Sequence, residues 1–162
     1  MAAVRKPDDR NRTIATNKIA HREYEILEEL ECGIVLSGSE GKAMRESQVR
    51  LNDAFARVVR GELWLVGLHV APYSFGHGFG SHDPDRQRKL LVHKRERERW
   101  SSLADQQHLA MIPLRLYFKD GRVKVLLGLG RGRKTYDKRQ LIAKRDADLE
   151  KRRALAAGLV AR

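Results

Sequence analysis

The sequence predicts a mainly β protein: a small antiparallel β-barrel of OB type with flanking helices and a basic C-terminal tail. Three observations carry this. Two alternating apolar stretches are each split by a tight-turn signal, Arg60-Gly61 in one and Asp120-Gly121 in the other, as hairpins require. No strand–helix–strand rhythm runs through the 162 residues, which argues against a parallel sheet. The last fifth of the chain is charged and lacks a continuous apolar stripe with which to join a core. Five or six strands of this length close into a small barrel. An α+β sheet with one helix on its face is the alternative.

Taken in order, the polar start "MAAVRKPDDRNR" reads as a loose arm, assigned to 1–15. The barrel is assigned to 16–131 and the tail to 132–162. "YEILEELECGIVL", Tyr24 to Leu36, predicts strand, a bend at Gly33, then strand. "SGSEGKAMRESQ" predicts a turn and a short helix over Lys42 to Arg45. The first hairpin pairs "AFARVV" with "ELWLVGLHV". In its second arm Trp64, Val66, Leu68 and Val70 alternate with Leu63, Leu65, Gly67 and His69. Next, "APYSFGHGFG" reads as a Gly-rich loop. Asp83 can cap a helix and Pro84 suits its first position, so a helix is predicted from there. Leu90, Leu91, Trp100 and Leu103 offer that helix a partial buried face, and seven bases from Arg86 to Arg99 load the other. The second hairpin pairs "PLRLYF" with "VKVLLGL". It sets Leu114, Leu116 and Phe118 against Val123, Val125 and Leu127, with Arg115 and Lys124 pointing the other way.

From Asp137 the composition favours helix, and Asp137 with Gln140 makes a capping box. The stripe Leu141, Arg145, Asp148, Arg152, Leu155, Leu159 is broken by charge. So is its neighbour Ile142, Asp146, Leu149, Arg153, Ala156, Val160. A helix of that kind has its partner outside its own domain. The charge says which kind: 33 Lys and Arg against 21 Asp and Glu leave +12, and +7 of it lies from Arg131 onward. A polyanion suits such a field, either nucleic acid or an acidic membrane surface. The tail lacks the Trp/Phe/Leu face of an interfacial helix, which favours nucleic acid. One cysteine, Cys32, excludes an internal disulfide and a cysteine-cluster zinc site. No apolar run approaches the ~20 residues of a membrane span. With no signal-peptide segment at the start, a soluble cytoplasmic protein is expected.

Catalytic chemistry has few places to reside. His77, His82 and Asp83 lie close together in "HGFGSHD", but their spacing matches no zinc signature and the loop is too rich in glycine to hold ligands firmly. "KRERERW" reads as solvated ion pairs on a helix. "GLGRGRK" lacks the Walker spacing and a following Ser or Thr. No active site, cofactor or metal is expected. Binding fares better: Lys42, Arg45, Arg86, Arg88, Lys89, Lys94, Arg95, Lys124 and Lys134 fall on elements that a compact barrel can gather onto one side.

Several stretches together resemble a known family. "NKIAHREYEI", "GIVLSGSEGKAMR", "HDPDRQRKLLVHKRE", "IPLRLYFKDGRVKV" and "GRGRKTYDKR" occur in the order and spacing of SmpB proteins, from about Asn17 to Arg139. The combination of D-P-x-R-x-R-K-L-L with G-[KR]-K-x-x-D-K-R is highly specific. The resemblance implies a non-catalytic RNA-binding adaptor on an OB-like barrel that binds the tRNA-like domain of transfer-messenger RNA, acting as a monomer on that RNA. It implies delivery to stalled ribosomes for trans-translation, with the tail entering the decoding centre and the empty mRNA channel as a helix. By the same resemblance Asn17 with its neighbour Lys18, Glu31, Leu91 and Lys124 contact RNA. Glu40, Lys42 and Arg45 fall in a second motif near that surface. Tyr136, Asp137, Lys138 and Arg139 form the ribosome-binding motif of the tail. Gly41 stands where the family has a β-branched residue, and Ala43 and Met44 stand where it has Ser and Leu. His93 replaces an Asn seen in some members, and the resemblance implies a hydrogen bond from it to RNA. Two other readings stay open: a constitutive ribosomal protein or general RNA chaperone, and a ribonuclease using His77 or His82.

Overall fold

A computed structural model describes residues 9–72, 82–133, 135–156 and 158. A 3-10 turn at Asp9–Asn11 leads into β1 (Thr13–Thr16), so the expected arm is already structured from Asp9 onward. One turn of helix, α1 (Ala20–Glu23), precedes β2 (Tyr24–Ile34), which runs unbroken through Gly33. The irregularity in β2 falls instead between Ile26 and Glu28. Gly33 serves another purpose. It pairs with a residue on each side at once, and a Cβ there would come within 3.3 Å of Leu91 Cβ.

Helix α2 (Gly38–Arg45) begins four residues before the predicted Lys42, because Ser37 and Glu40 form a reciprocal capping box. Two short strands, β3 (Val49–Arg50) and β6 (His69–Val70), pair with each other. Between them the predicted hairpin is present as β4 (Phe55–Val59) and β5 (Glu62–Val66), joined through Arg60 (φ 51°) and Gly61 (φ 74°). The expected alternation of its second arm holds only as far as Val66. Gly67, at φ 82°, breaks the phase, so Leu63 and Leu65 before it and Leu68 and Val70 after it are all buried.

The predicted helix from Asp83 does not form. The Asp83 side chain accepts from the Asp85 N–H, and the Arg86 N–H reaches Asp83 O, so Asp-Pro makes a turn. "RKLL" is then a strand, β7 (Arg88–Leu91), between β5 and β2. Two strand edges in want of a partner outweigh the helix propensity of Arg, Lys and Leu. Leu91 accordingly points outward, 52% exposed, rather than into a helix interface. The helix itself, α3, spans Lys94–Gln107 and buries Trp100 in the core. The second hairpin is as predicted, β8 (Ala110–Lys119) with β9 (Arg122–Gly132), turning at Asp120 and Gly121. Leu116 faces Val125 and Phe118 faces Val123. An irregularity at Pro113/Arg115 sends Leu114 out of that row, into a small second cluster with Ala20 and Ile112.

The larger sheet is antiparallel, and β8, β4, β5, β7, β2 and β9 follow one another round a near-closed ring, since β9 pairs back to β8 and β1 lies alongside β8. Its seam is β4–β8, joined by the single pair Ala56–Met111. Basic helix α4 (Thr135–Ala156) starts two residues ahead of the predicted cap and leaves Ile142, Leu149 and Leu155 exposed. It follows a tether to α1: the Arg133 N–H donates to Glu23 O, and its Nε donates to His21 O.

Candidate nucleic-acid interface

Directly opposed residues of an antiparallel sheet share a face. Reading across the ring, Leu91 of β7 lies opposite Gly33 of β2, Gly33 opposite Lys124 of β9, and Lys124 opposite Tyr117 of β8. One row over, Glu31 lies opposite Leu126, and Leu126 opposite Arg115. Three sequence-predicted residues, Glu31, Leu91 and Lys124, therefore meet on one outer face, with Gly33 as the bare centre on which Leu91 rests.

Glu31 is held by two donors. Tyr117 Oη donates to its Oε2, and Lys119 Nζ lies 3.1 Å from its Oε1. These bonds, Tyr117 first, keep the Glu31 carboxyl below its ordinary range. Burial and then the Glu31 bond push the Tyr117 hydroxyl up, so it stays a donor. The Arg115 guanidinium lies 4.6 Å from the centre of the Tyr117 ring. Tyr117, Lys119 and Arg115 share this face, and the sequence reading did not include them. The signal was available in their spacing, because i, i+2 and i+4 on a strand share a face.

Glu40 and Arg88, expected on the RNA surface, lie inside the fold instead. Both side chains are 0% exposed and bond to each other. Arg88 also donates to the carbonyls of Leu68 and Arg86, both at 2.8 Å, and Arg86 bonds to Glu40 and Val35 O. Burial alone would raise the Glu40 carboxyl, but the Ser37 N–H, Arg86 and Arg88 outweigh it and hold the group at about 2. This buried network ties α2 to β7 and to the chain before β6. It positions Lys42 and Arg45, which stand exposed on the outward side of α2.

Asn17 is also buried, where β1 leaves β8. Its Nδ2 donates to Pro113 O at 3.0 Å, and its Oδ1 accepts from the Ile19 N–H. It lines a cleft of about 660 Å³ between α1, α3 and the β4–β8 seam, away from the row just described. Lys18, His93, Lys94 and Arg95 are exposed, Lys89 is half-buried, and Arg139 projects from α4. Lys134 and His77 lie outside the described residues, as do the side chains of Tyr136, Asp137 and Lys138.

The ribonuclease reading loses one of its two histidines. His82 has both ring nitrogens engaged, with Ser39 Oγ at 2.9 Å and Val70 O at 3.0 Å. The carbonyl can only accept, so Nε2 carries a proton and is fixed in a structural role. Burial pushes the Cys32 thiol up to about 12, which removes it as a nucleophile. Among the described residues no group of three or more His, Cys, Asp or Glu could hold a metal ion. No helix among them is long and apolar enough to cross a membrane.

A family model described as "SmpB protein" matches residues 14–157. The chain belongs to the SmpB family. It is 50% identical over 151 residues to an SsrA-binding protein of Desulforudis audaxviator, covering 93% of this chain and 96% of that one. It is 49% identical over 144 residues to an SsrA-binding protein of Carboxydothermus hydrogenoformans, covering 89% and 96%. A solved SmpB-family structure, described as "tmRNA-SmpB: a journey to the center of the bacterial ribosome", matches with a TM-score of 0.64 at 42% identity. That match covers 79% of this chain and 93% of the other. The match to the SmpB model begins inside β1 and ends just past α4, so it takes in both the ring of strands and the basic helix.

Proposed function

We propose that this chain is a non-catalytic adaptor that binds the tRNA-like domain of transfer-messenger RNA and accompanies it to stalled ribosomes. The observation that carries the reading is the meeting of Glu31, Leu91 and Lys124 on one outer face of the ring. In this reading the ring serves as an OB-like platform. Lys124 neutralises phosphate, Leu91 packs against sugar or base, and Glu31, oriented by Tyr117 and Lys119, accepts from a base edge. Lys42 and Arg45 on α2, with Lys94 and Arg95 on α3, extend the positive field.

The body over 16–131 and the tail over 132–162 act as separable parts. The tail helix leaves Ile142, Leu149 and Leu155 exposed, so a basic rod of this kind gains most by ordering against ribosomal RNA in an mRNA channel left empty. An mRNA already in the channel excludes it by sterics and by charge competition. Truncation before Asp137 tests the division: affinity for the transfer-messenger RNA should be unchanged while rescue of stalled ribosomes is lost. Equal losses in both would overturn the two-part reading and favour a general RNA-binding protein.

A further inference from the structure

The outer face does not end at Leu91. Arg57 of β4 lies opposite Trp64 of β5, and Trp64 lies opposite Lys89 of β7. The Val35 N–H donates to Lys89 O at 3.0 Å, which continues the row onto the end of β2. This is the outer surface, because the alternate positions Ala56, Leu63, Leu65, Arg88 and Leu90 are buried. Lys89 and Leu91 share that surface two residues apart on β7, so the row is continuous with the face of Glu31 and Lys124. Phe55, Val59, Val35 and Leu91 surround the row, and all four are among the exposed large apolar side chains. Single exposed apolar residues are ordinary, but a set gathered around one indole marks an interaction surface.

We propose that the Arg57–Trp64–Lys89 row is a stacking platform for an unpaired nucleobase of the bound RNA. Trp64 supplies the π face, Arg57 and Lys89 meet the flanking phosphates, and Phe55 and Val66, which pair across β4 and β5, bound one side. Glu62 Oε1, 3.0 Å from Lys89 Nζ, holds that ammonium on this side of the sheet. An aromatic ring between two cations has the composition of a base-stacking site, since every base offers a π face and brings a phosphate with it. The core of a protein–protein interface, by contrast, is depleted in lysine. The proposal rests on the adaptor reading and adds to it a second, aromatic contact that the sequence analysis did not single out.

The test titrates a transcript of the tRNA-like domain into the full-length protein and its Trp64→Leu and Trp64→Phe variants, at several salt concentrations. Leucine keeps the apolar patch but removes the π face. Trp64→Leu should weaken binding by about 5- to 150-fold, with Trp64→Phe retaining most of the affinity. The slope of affinity against salt should be the same in all three, because stacking releases no counterions. Trp64→Leu binding within about twofold of wild type would overturn the platform while leaving the adaptor reading intact. Equal losses in both variants together with a lowered unfolding midpoint would overturn it too, by making Trp64 a folding residue. Unchanged RNA affinity with lost ribosome association would assign the face to a ribosomal protein and overturn the RNA platform. If the wild-type protein itself fails to prefer the transcript over an unrelated structured RNA, the adaptor reading falls and the platform with it.

Discussion

Replacing Glu40 by alanine tests whether the inside of this protein, rather than the proposed RNA face, depends on that carboxylate. The side chain is fully buried, capped onto Ser37 and bonded to Arg86 and Arg88. Its carboxyl sits at about 2 instead of the 4.5 of a free glutamate. At 1.36 kcal/mol per tenfold change, that difference corresponds to about 3 kcal/mol of stabilisation of the folded state. Removing one partner of a buried pair costs ~3–5 kcal/mol by a separate route, since Arg88 is left charged and unmatched. Urea unfolding at pH 7 should therefore show Glu40→Ala less stable by about 3–5 kcal/mol. The folded value lies below the unfolded one, so the contribution is complete above pH 4.5 and is lost as pH falls toward 2. Wild type and variant should converge over that window. A difference that stays constant from pH 7 to pH 3 would refute the ion-pair argument. A variant of normal stability whose RNA affinity nevertheless falls would refute the burial argument, because it would make Glu40 part of the RNA contact.

The remaining predictions concern the turn and the outer face. Gly67→Ala should destabilise by about 2–4 kcal/mol in the same unfolding assay, because its Cβ would stand 2.6 Å from the Asp53 carbonyl oxygen at φ 82°. A change below ~0.5 kcal/mol would mean that the β5–β6 connection relaxes freely. Tyr117→Phe removes the first of the bonds that lower the Glu31 carboxyl. A carboxyl NMR titration should show Glu31 moving up, with RNA affinity reduced, and an unmoved Glu31 would leave its orientation to Lys119. Lys124→Ala should reduce the slope of log affinity against log salt by about 0.7–0.9, and an unchanged slope would remove Lys124 from the phosphate contacts.

The hairpins were legible because their turns are local chemistry. Arg60-Gly61 and Asp120-Gly121 both adopt positive φ where the sequence put the turns. The error at "DPDRQRKLL" has the opposite origin. Asp-Pro followed by Arg, Lys and Leu is sound helix grammar, and only the vacancy between β2 and β5 makes "RKLL" a strand. That vacancy is a property of the near-closed ring, which no window of the chain contains. The phase change at Gly67 and the displaced Leu114 belong to the same class, since an alternating pattern does not record where a bulge resets it. Glu40 and Arg88 read as surface contacts in the sequence because charge implies exposure until a partner is seen. They lie 48 residues apart, and no spacing rule joins them.

Strand alternation explains how one short ring can be both a stable fold and the RNA surface proposed for it. Each strand spends every second residue on the core, so Leu63, Leu65, Leu90, Leu116 and Val125 fix the ring regardless of what stands between them. The intervening positions, Trp64, Lys89, Leu91, Glu31, Lys124 and Tyr117, carry little of the core and are free to answer to a ligand. Helix α2 breaks this division, because its charged residues go both ways. Glu40 turns inward to Arg88, whereas Lys42 and Arg45 turn out. A change at Glu40 should thus reach the RNA through the placement of α2, whereas a change at Lys124 should reach it directly. The two are separable by experiment. The first lowers stability and leaves the salt slope intact; the second lowers the slope and leaves stability intact.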